Sequence, residues 1–473
     1  MRRAAFLFGI LASVTVTAQS SSEPDWSKLE AETMQHFQTL LRFDTSDPPL
    51  NPPGGEKPAV DYIKQVLDKE GIPAQILAME PNRPNLVARL KGNGSKRPIL
   101  LMGHTDVVNV DPKKWTNPPF SATRQDGYVY GRGTVDDKDN ATAVLMVMLT
   151  LKRLNVPLDR DVIALWEAGE EGASRLGVQY VANEHFPLID AEYCFAEGGS
   201  VQREKGQVKF ASIQTVEKIP RGIKLTAHGI SGHGSVPLET NPIVHLSDAV
   251  AKVGKWAPPI RSNETTAAYF KRLASISTPE EAARYRDVLS PDPKVSGAAD
   301  AYFRANEPRH ASMLRTSVSP NIFQGGYRSN VIPSEAKATL DVRMVPEEDP
   351  AAFLEAVKRV INNPAVTARY TATSTRPIPP PAKLDSEAYK VVQSAIARNY
   401  DTIPIPMMGT GATDMAQVRN KGQQCFGIGP ASDIEDAPKG FGAHSDQERI
   451  LEAEIYRFVR FSYEIVYDLA RRN

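Results

Sequence analysis

VIALWEAGEEGAS, residues 162–174, carries an apolar run out of a core and then sets two carboxylates, Glu170 and Glu171, side by side at its mouth. Neighbouring carboxylates repel each other and lose solvation when buried, so the pair must be fully wet or have something positive between its members. Alone, a Glu-Glu pair reads as an exposed acidic turn, because charged side chains are mostly exposed. The surrounding sequence argues otherwise. RDVIALW is one of several short apolar runs, with PNLVARL, RPILLMG, AEYCFA and, far downstream, QQCFGIG. Runs of this kind suit strands buried on both faces. Their alternation with helical segments predicts an α/β fold with a central mixed, mostly parallel sheet flanked by helices. In PAVDYIKQVLDKEG, Val60, Ile63, Val66 and Leu67 share one helical face and Gly71 is the stop. NATAVLMVMLTLKRL reads as a buried crossover helix in which Met146 and Met148 are core filler.

Near residue 219 the pattern changes. GIKLTAHG, PIVHLSDAVAKVG, SVSPNIFQGG, EAKATLDVRMVP, DPAAFLEAVKRVIN and VTARYTAT spell a β-α-β-β-α-β order, a ferredoxin-like unit inserted into the larger one. The expected division is 19–218 and 377–473 for the larger, catalytic unit and 219–376 for the insert, with a charged, helical excursion at 256–315. The Pro-rich STRPIPPPAKLD marks the return.

The chain has 473 residues, with 56 Lys+Arg balanced by 56 Asp+Glu, so it lacks the positive excess that a nucleic-acid or polybasic membrane partner requires. Residues 1–18 combine two arginines, an apolar run from Ala4 to Val16 and the small-residue site Val16-Thr17-Ala18. This is the pattern of a secretory signal cleaved after Ala18, which predicts an exported, periplasmic or secreted protein with no membrane insertion after cleavage. Cys194 and Cys425 both sit in apolar, strand-like stretches and read as buried free thiols.

In an open α/β sheet, ligands bind beyond the carboxyl ends of the strands. Here RPILLMG runs into His104-Thr105-Asp106, GYVYGRGTVDDKD delivers Asp136 and Asp137 ahead of a helix, AEYCFA runs into Glu197, and GAHSDQE carries His444 after the last strand. Two histidines and several carboxylates converging on one sheet edge suit a pair of divalent cations, zinc first, with manganese and cobalt as alternatives. The Glu-Glu pair then divides its labour: one member binds metal and the other stands free as a general base. In an extended chain the two would point in opposite directions.

These motifs resemble the co-catalytic zinc peptidases and deacylases of the M20 type, a group that includes glutamate carboxypeptidase, aminoacylase, succinyl-diaminopimelate desuccinylase and carboxypeptidase S. The resemblance rests on GHTDVV, WTNPPFSATRQDGYVYGRGTVDDKD, EAGEEGAS, AEGG, SGHGSVP, RSNVIP, LDVR and GAHSDQE, in that order across residues 30–470. It implies that His104 and Glu197 hold one metal, Glu171 and His444 the other, and that Asp136 bridges them. Asp106 would orient His104, the Asp136-Asp137 peptide would be cis, and Glu170 would take a proton from the attacking water and pass it to the leaving nitrogen. His233 would stabilise the oxyanion, in dimeric members from the partner subunit, while Asn330 and Arg343 would hold the substrate's carbonyl or carboxylate. Arg343 also shares a strand face with Asp341, which makes a surface ion pair its simpler reading. MGTGATDM, with Gly411, resembles the family's substrate loop, but Met415 and Ala416 stand where relatives carry Ala-Arg. The implied activity is hydrolysis of an amide next to a carboxylate, in a small peptide or an N-acyl amino acid. Dimerisation through the insert is also implied. His36, His185, His228, His245 and His310 match no ligand position.

Overall fold

The structure is a computed structural model that describes residues 23–47, 55–371 and 376–472. The expected signal segment lies outside the described residues, and among them no helix is long and apolar enough to cross a membrane. A ten-stranded sheet forms the centre. From one edge its strands run Ala74–Leu77, Asn85–Leu90, Val162–Glu167, Ile99–His104, Tyr193–Ala196, Gln424–Gly427, Gln207–Glu217, Ser200–Glu204 and Ala431–Asp433, with Pro404–Gly409 also paired to Gln207–Glu217. The strands that end at the candidate site are parallel neighbours: Val162–Glu167 beside Ile99–His104, then Tyr193–Ala196, then Gln424–Gly427. They are the near-continuous apolar runs read from the sequence, and all their residues but Gln424 are buried.

The helix Lys138–Arg153 crosses one face of this sheet and is buried from Lys138 to Leu151. It approaches closely because Gly103 lacks a side chain: a Cβ there would lie 3.0 Å from the Ala141 nitrogen. Trp166 fixes the contact from the neighbouring strand, its indole N–H donating to the Ala141 carbonyl at 3.0 Å. Met146 and Met148 are fully buried core. Cys194 and Cys425 lie opposite each other on adjacent strands as buried free thiols.

A second, five-stranded sheet contains Ile223–His228, Ser317–Gly325, Glu335–Met344 and Val366–Tyr370, with helices Pro242–Lys255 and Pro350–Ile361 following the first and third of these strands. Every pairing among the four is antiparallel, and a fifth short strand, Ile219–Pro220, pairs with the end of Glu335–Met344. Along strand Glu335–Met344, Ala336, Ala338, Leu340, Val342 and Met344 alternate inward to a core of their own, and the intervening residues stay partly exposed.

The helical excursion comprises Glu264–Ala274, Pro279–Asp287, Pro293–Asn306 and Pro308–Met313. It packs not on this small sheet but on the large one. Phe270, Tyr285 and Phe303 form a cluster with Phe210, Ile405 and Met407, which lie on strands Gln207–Glu217 and Pro404–Gly409.

Candidate active site

The opening pair does not sit in extended chain. Strand Val162–Glu167 stops three residues before Glu170, and Gly169, at φ +71°, turns the backbone. A side chain at Gly169 would be strained by that φ and would meet the Ala173 carbonyl at 2.7 Å. The expectation that the two glutamates sit in extended chain is therefore corrected: they sit on a turn, and both line the same cleft. The fully buried Asp106 anchors that turn, accepting from the Glu170 N–H at 3.2 Å on one carboxylate oxygen and from the Glu171 N–H at 3.0 Å on the other. Burial pushes the Asp106 pKa up, but contact with His104 and the Glu171 amide outweighs it, and the net shift is below the usual carboxylate value.

Asp136 lies between two imidazoles. His104 Nε2 is 3.0 Å from its Oδ1, and His444 Nε2 is 3.0 Å from its Oδ2 and 2.9 Å from Glu171 Oε1. The other ring nitrogen of His104 lies 3.0 Å from the main-chain carbonyl of Asp106 and 3.5 Å from its carboxylate. A carbonyl only accepts, so Nδ1 carries the proton, and in a neutral ring Nε2 turns a lone pair toward Asp136. Two electron-rich atoms 3.0 Å apart, and three around His444, require a proton or a metal cation between them. The residues present therefore fit a metal pair. His104, Asp136 and Glu171 form one cluster in which ligand atoms lie within 4.8 Å of one another, and His104, Asp137 and Glu197 form another. Asp137 is otherwise committed: its Oδ2 accepts from the His104 N–H at 3.1 Å and the Asn140 side chain at 3.2 Å. The Asp136-Asp137 peptide is cis.

The charges confirm the crowding. Glu197 is pushed well above the usual carboxylate range by burial and by Asp136, Glu170 and Asp137. Glu170 is pushed up likewise, by burial and then by Asp414 and Glu171. His444 is raised to about 10 by its hydrogen bonds to Asp136 and Glu171.

A cleft of about 1260 Å³ opens over this centre. Asp136, Glu170, Glu171, Glu197 and His444 line one wall, Ile322, Leu340 and Arg343 of the five-stranded sheet another, and Arg309 of the helical excursion reaches it as well. Gly411 lines the cleft, as expected of the Gly-rich loop, whose first residues Met408 and Gly409 finish a strand. Arg343 lines the cleft and pairs with Asp341 at 2.9 Å, the ion pair that its shared strand face suggested. His233 and Asn330 do not line the cleft. They sit together on a small ribbon where Gly232–His233 pairs with Val331–Ile332, both exposed, and His233 Nδ1 is 2.7 Å from the Ser235 hydroxyl. Of the histidines set aside, His36, His185, His245 and His310 contact Tyr62, Tyr180, Asn363 and Glu307, and His228 lies exposed near Glu335.

Among the cleft residues that escaped the sequence are Arg309 and Arg376. Arg376, from the Pro-rich return, donates to the Thr413 carbonyl and lies 3.7 Å from Asp414. It brings a guanidinium to the loop in which Met415-Ala416 replaces the relatives' Ala-Arg. Only its proximity to a Pro-rich tract was visible, and that tract reads as a connector.

The profile described as Peptidase family M20/M25/M40 matches residues 100–468. The chain belongs to this family. M20 relatives include the probable carboxypeptidase S-like 2 of Dictyostelium discoideum, 29% identical over 402 residues, covering 81% of this chain and 74% of that protein. The human N-fatty-acyl-amino acid synthase/hydrolase PM20D1 is 26% identical over 383 residues, covering 79% and 74%. Among solved structures, the M20 metallo-carboxypeptidase Sso-CP2 of Sulfolobus solfataricus aligns at TM-score 0.65 and 21% identity over 92% of this chain and 98% of that one. Human carnosine dipeptidase 1 aligns at TM-score 0.65 and 16% identity over 94% and 98%. These likenesses fix the α/β fold, and the M20 membership makes the protein a metallopeptidase-family hydrolase, of the peptidase and amidohydrolase kind.

Proposed function

We propose that the protein is an exported two-metal hydrolase that cleaves an amide bond next to a free carboxylate, as a carboxypeptidase or dipeptidase. The observation that carries this reading is Asp136, with one carboxylate oxygen facing each imidazole. His104 and Glu197 would hold one cation, Glu171 and His444 the second, with Asp136 shared; the nitrogen and oxygen donors favour zinc, with manganese and cobalt as alternatives. When bound, such ions polarise the scissile carbonyl and lower the pKa of water. Glu170 stands beside them without being needed as a ligand. Its carboxylate takes the proton from the attacking water and delivers it to the leaving nitrogen, a task suited to a carboxylate whose proton affinity is raised. Arg343 and Arg376 supply guanidiniums along the cleft for the substrate's carboxylate.

His233 and Asn330 complete the site from a second subunit in this reading. Their exposed ribbon belongs to the insert, whose outer strand Ser317–Gly325 pairs on one side with Glu335–Met344 and leaves Ile322 and Phe323 exposed. The helical excursion, packed on the large sheet, leaves that strand uncovered. A second reading, N-acyl-amino-acid deacylation, is favoured by the similarity to PM20D1 and by the apolar Ile322, Leu340 and Met407 in the cleft wall. A screen of dipeptides against N-acyl amino acids of increasing chain length, with metal-stripped and zinc-reconstituted protein, decides between them. Zinc-dependent release of a free amino acid supports the hydrolase, and the better substrate series names the subclass. No cleavage in either series after reconstitution refutes the proposal.

A further inference from the structure

The turn that carries Glu170 is held by more than Asp106. Beyond Glu167 the chain leaves the sheet, and its buried N–H groups need acceptors elsewhere. Four consecutive ones find side chains. Ala168 N–H donates to Asn85 Oδ1 at 3.1 Å, Gly169 N–H to Glu56 Oε1 at 3.2 Å, and those of Glu170 and Glu171 to the two oxygens of Asp106 at 3.2 and 3.0 Å. Asn85, Glu56 and Asp106 are all fully buried, and they arrive from three separate parts of the chain.

Glu56 immediately precedes helix Lys57–Lys69. Its carboxylate is fixed in turn by Arg83, which donates from Nε and Nη2 to its two oxygens at 2.6 Å each and from Nη1 to Asp47 at 3.1 Å. A buried carboxylate–guanidinium pair is weak evidence of a contribution to stability, because desolvation offsets the attraction. Here the pair has a second product: the same Glu56 oxygen that Arg83 Nη2 holds also receives the Gly169 N–H, one residue before the proposed base.

We propose that Glu56 is a positioning residue of this active site, locked by Arg83 so that its carboxylate fixes the Gly169 turn and, through it, the place of Glu170. The inference rests on the reading of Glu170 as the base. Misplacing a reacting group by about 1 Å costs on the order of 10²-fold in rate, which sets the scale of the effect. Asn85 and Asp106 hold the neighbouring amides, so loss of Glu56 alone loosens the turn without dismantling it.

The test compares wild type with Glu56→Gln, which keeps one acceptor but loses the charge and the two-pronged contact, and with Arg83→Lys, which keeps the charge and loses the fork. The expected result is a fall in kcat of roughly 10- to 100-fold, KM within about threefold, unchanged metal content, and faster amide hydrogen exchange confined to the peptide around residues 166–173 in metal-free protein. Should Glu56→Gln fail to fold, Arg83→Lys reads the same quantities. Unchanged kcat with unchanged local exchange overturns the proposal. So does a kcat loss accompanied by exchange that quickens across the whole chain, the signature of a merely structural pair. A wild type that hydrolyses nothing would refute the proposed function instead, and the exchange experiment would still report whether Glu56 holds the turn.

Discussion

Two parts of the molecule carry residues expected at the active site, and the fold treats them differently. At the ends of the parallel strands, His104, Asp106 and Asp136 are within hydrogen-bonding reach of one another or of Glu171 and His444, and the turn amides already have their acceptors. On the insert, His233 and Asn330 stand on an exposed ribbon outside the cleft. In the first group His104 and Asp106 are buried, Asp136 and Glu171 are half-buried beside the exposed His444, and the carboxylates and imidazoles crowd together. The second is solvated, and its nearest polar contacts are local. Burial therefore assembles the chemistry at the large sheet, whereas the ribbon needs another surface to bring it there.

The sharpest way to break this contrast is Glu170→Gln. An amide cannot take a proton, so kcat should fall about 10³-fold with metal content and KM retained, measured by steady-state kinetics and elemental analysis; near-normal turnover would remove Glu170 from its role. His233→Ala should cost about 10²-fold in kcat and leave the metals in place. Mixing inactive Glu170→Gln with His233→Ala protein under conditions that exchange subunits should restore about a quarter of wild-type activity, because one of the two sites in a mixed dimer is intact. Absence of recovery would refute a contribution of His233 across a subunit boundary.

The smallest effect concerns the joint between the two regions. Lys218 follows strand Gln207–Glu217, is fully buried, and its Nζ donates to the Ser312 carbonyl and hydroxyl and to the Ser317 hydroxyl. Burial, then Arg343 and Arg315, lower the pKa of its ammonium to about 7. Between pH 7 and 10 the unfolded chain thus binds more protons than the folded one, so stability should rise with pH there relative to Lys218→Met. A gain of about 1.4 kcal/mol per pH unit in denaturant titrations is the upper limit, and a flat difference would place the charge comfortably in the fold.

The cluster of His104, Asp136 and Glu171 was legible in part because His104 ends the apolar run Ile99–His104 and Glu171 follows the run Val162–Glu167, and a strand run is a local pattern. The same holds for the small sheet, where Glu335–Met344 alternates strictly. Strand Gln207–Glu217 was not legible. Ser212, Gln214, Thr215 and Glu217 are buried in it by virtue of partners such as Thr413 and Thr265, far away in sequence. Glu56 escaped for the same reason, since an acceptor for a main-chain N–H leaves no spacing signal. The helical excursion read as a charged element of unknown role, because its docking face is a set of aromatics that meets the large sheet only in three dimensions.

Metal stoichiometry tests most directly whether Asp136 is shared by two cations, as proposed. Elemental analysis of purified wild-type protein reconstituted with zinc should give about two equivalents, and Asp136→Asn should lose at least one while remaining folded. A wild type that saturates at one equivalent, or an Asp136→Asn variant that keeps two, would contradict the account.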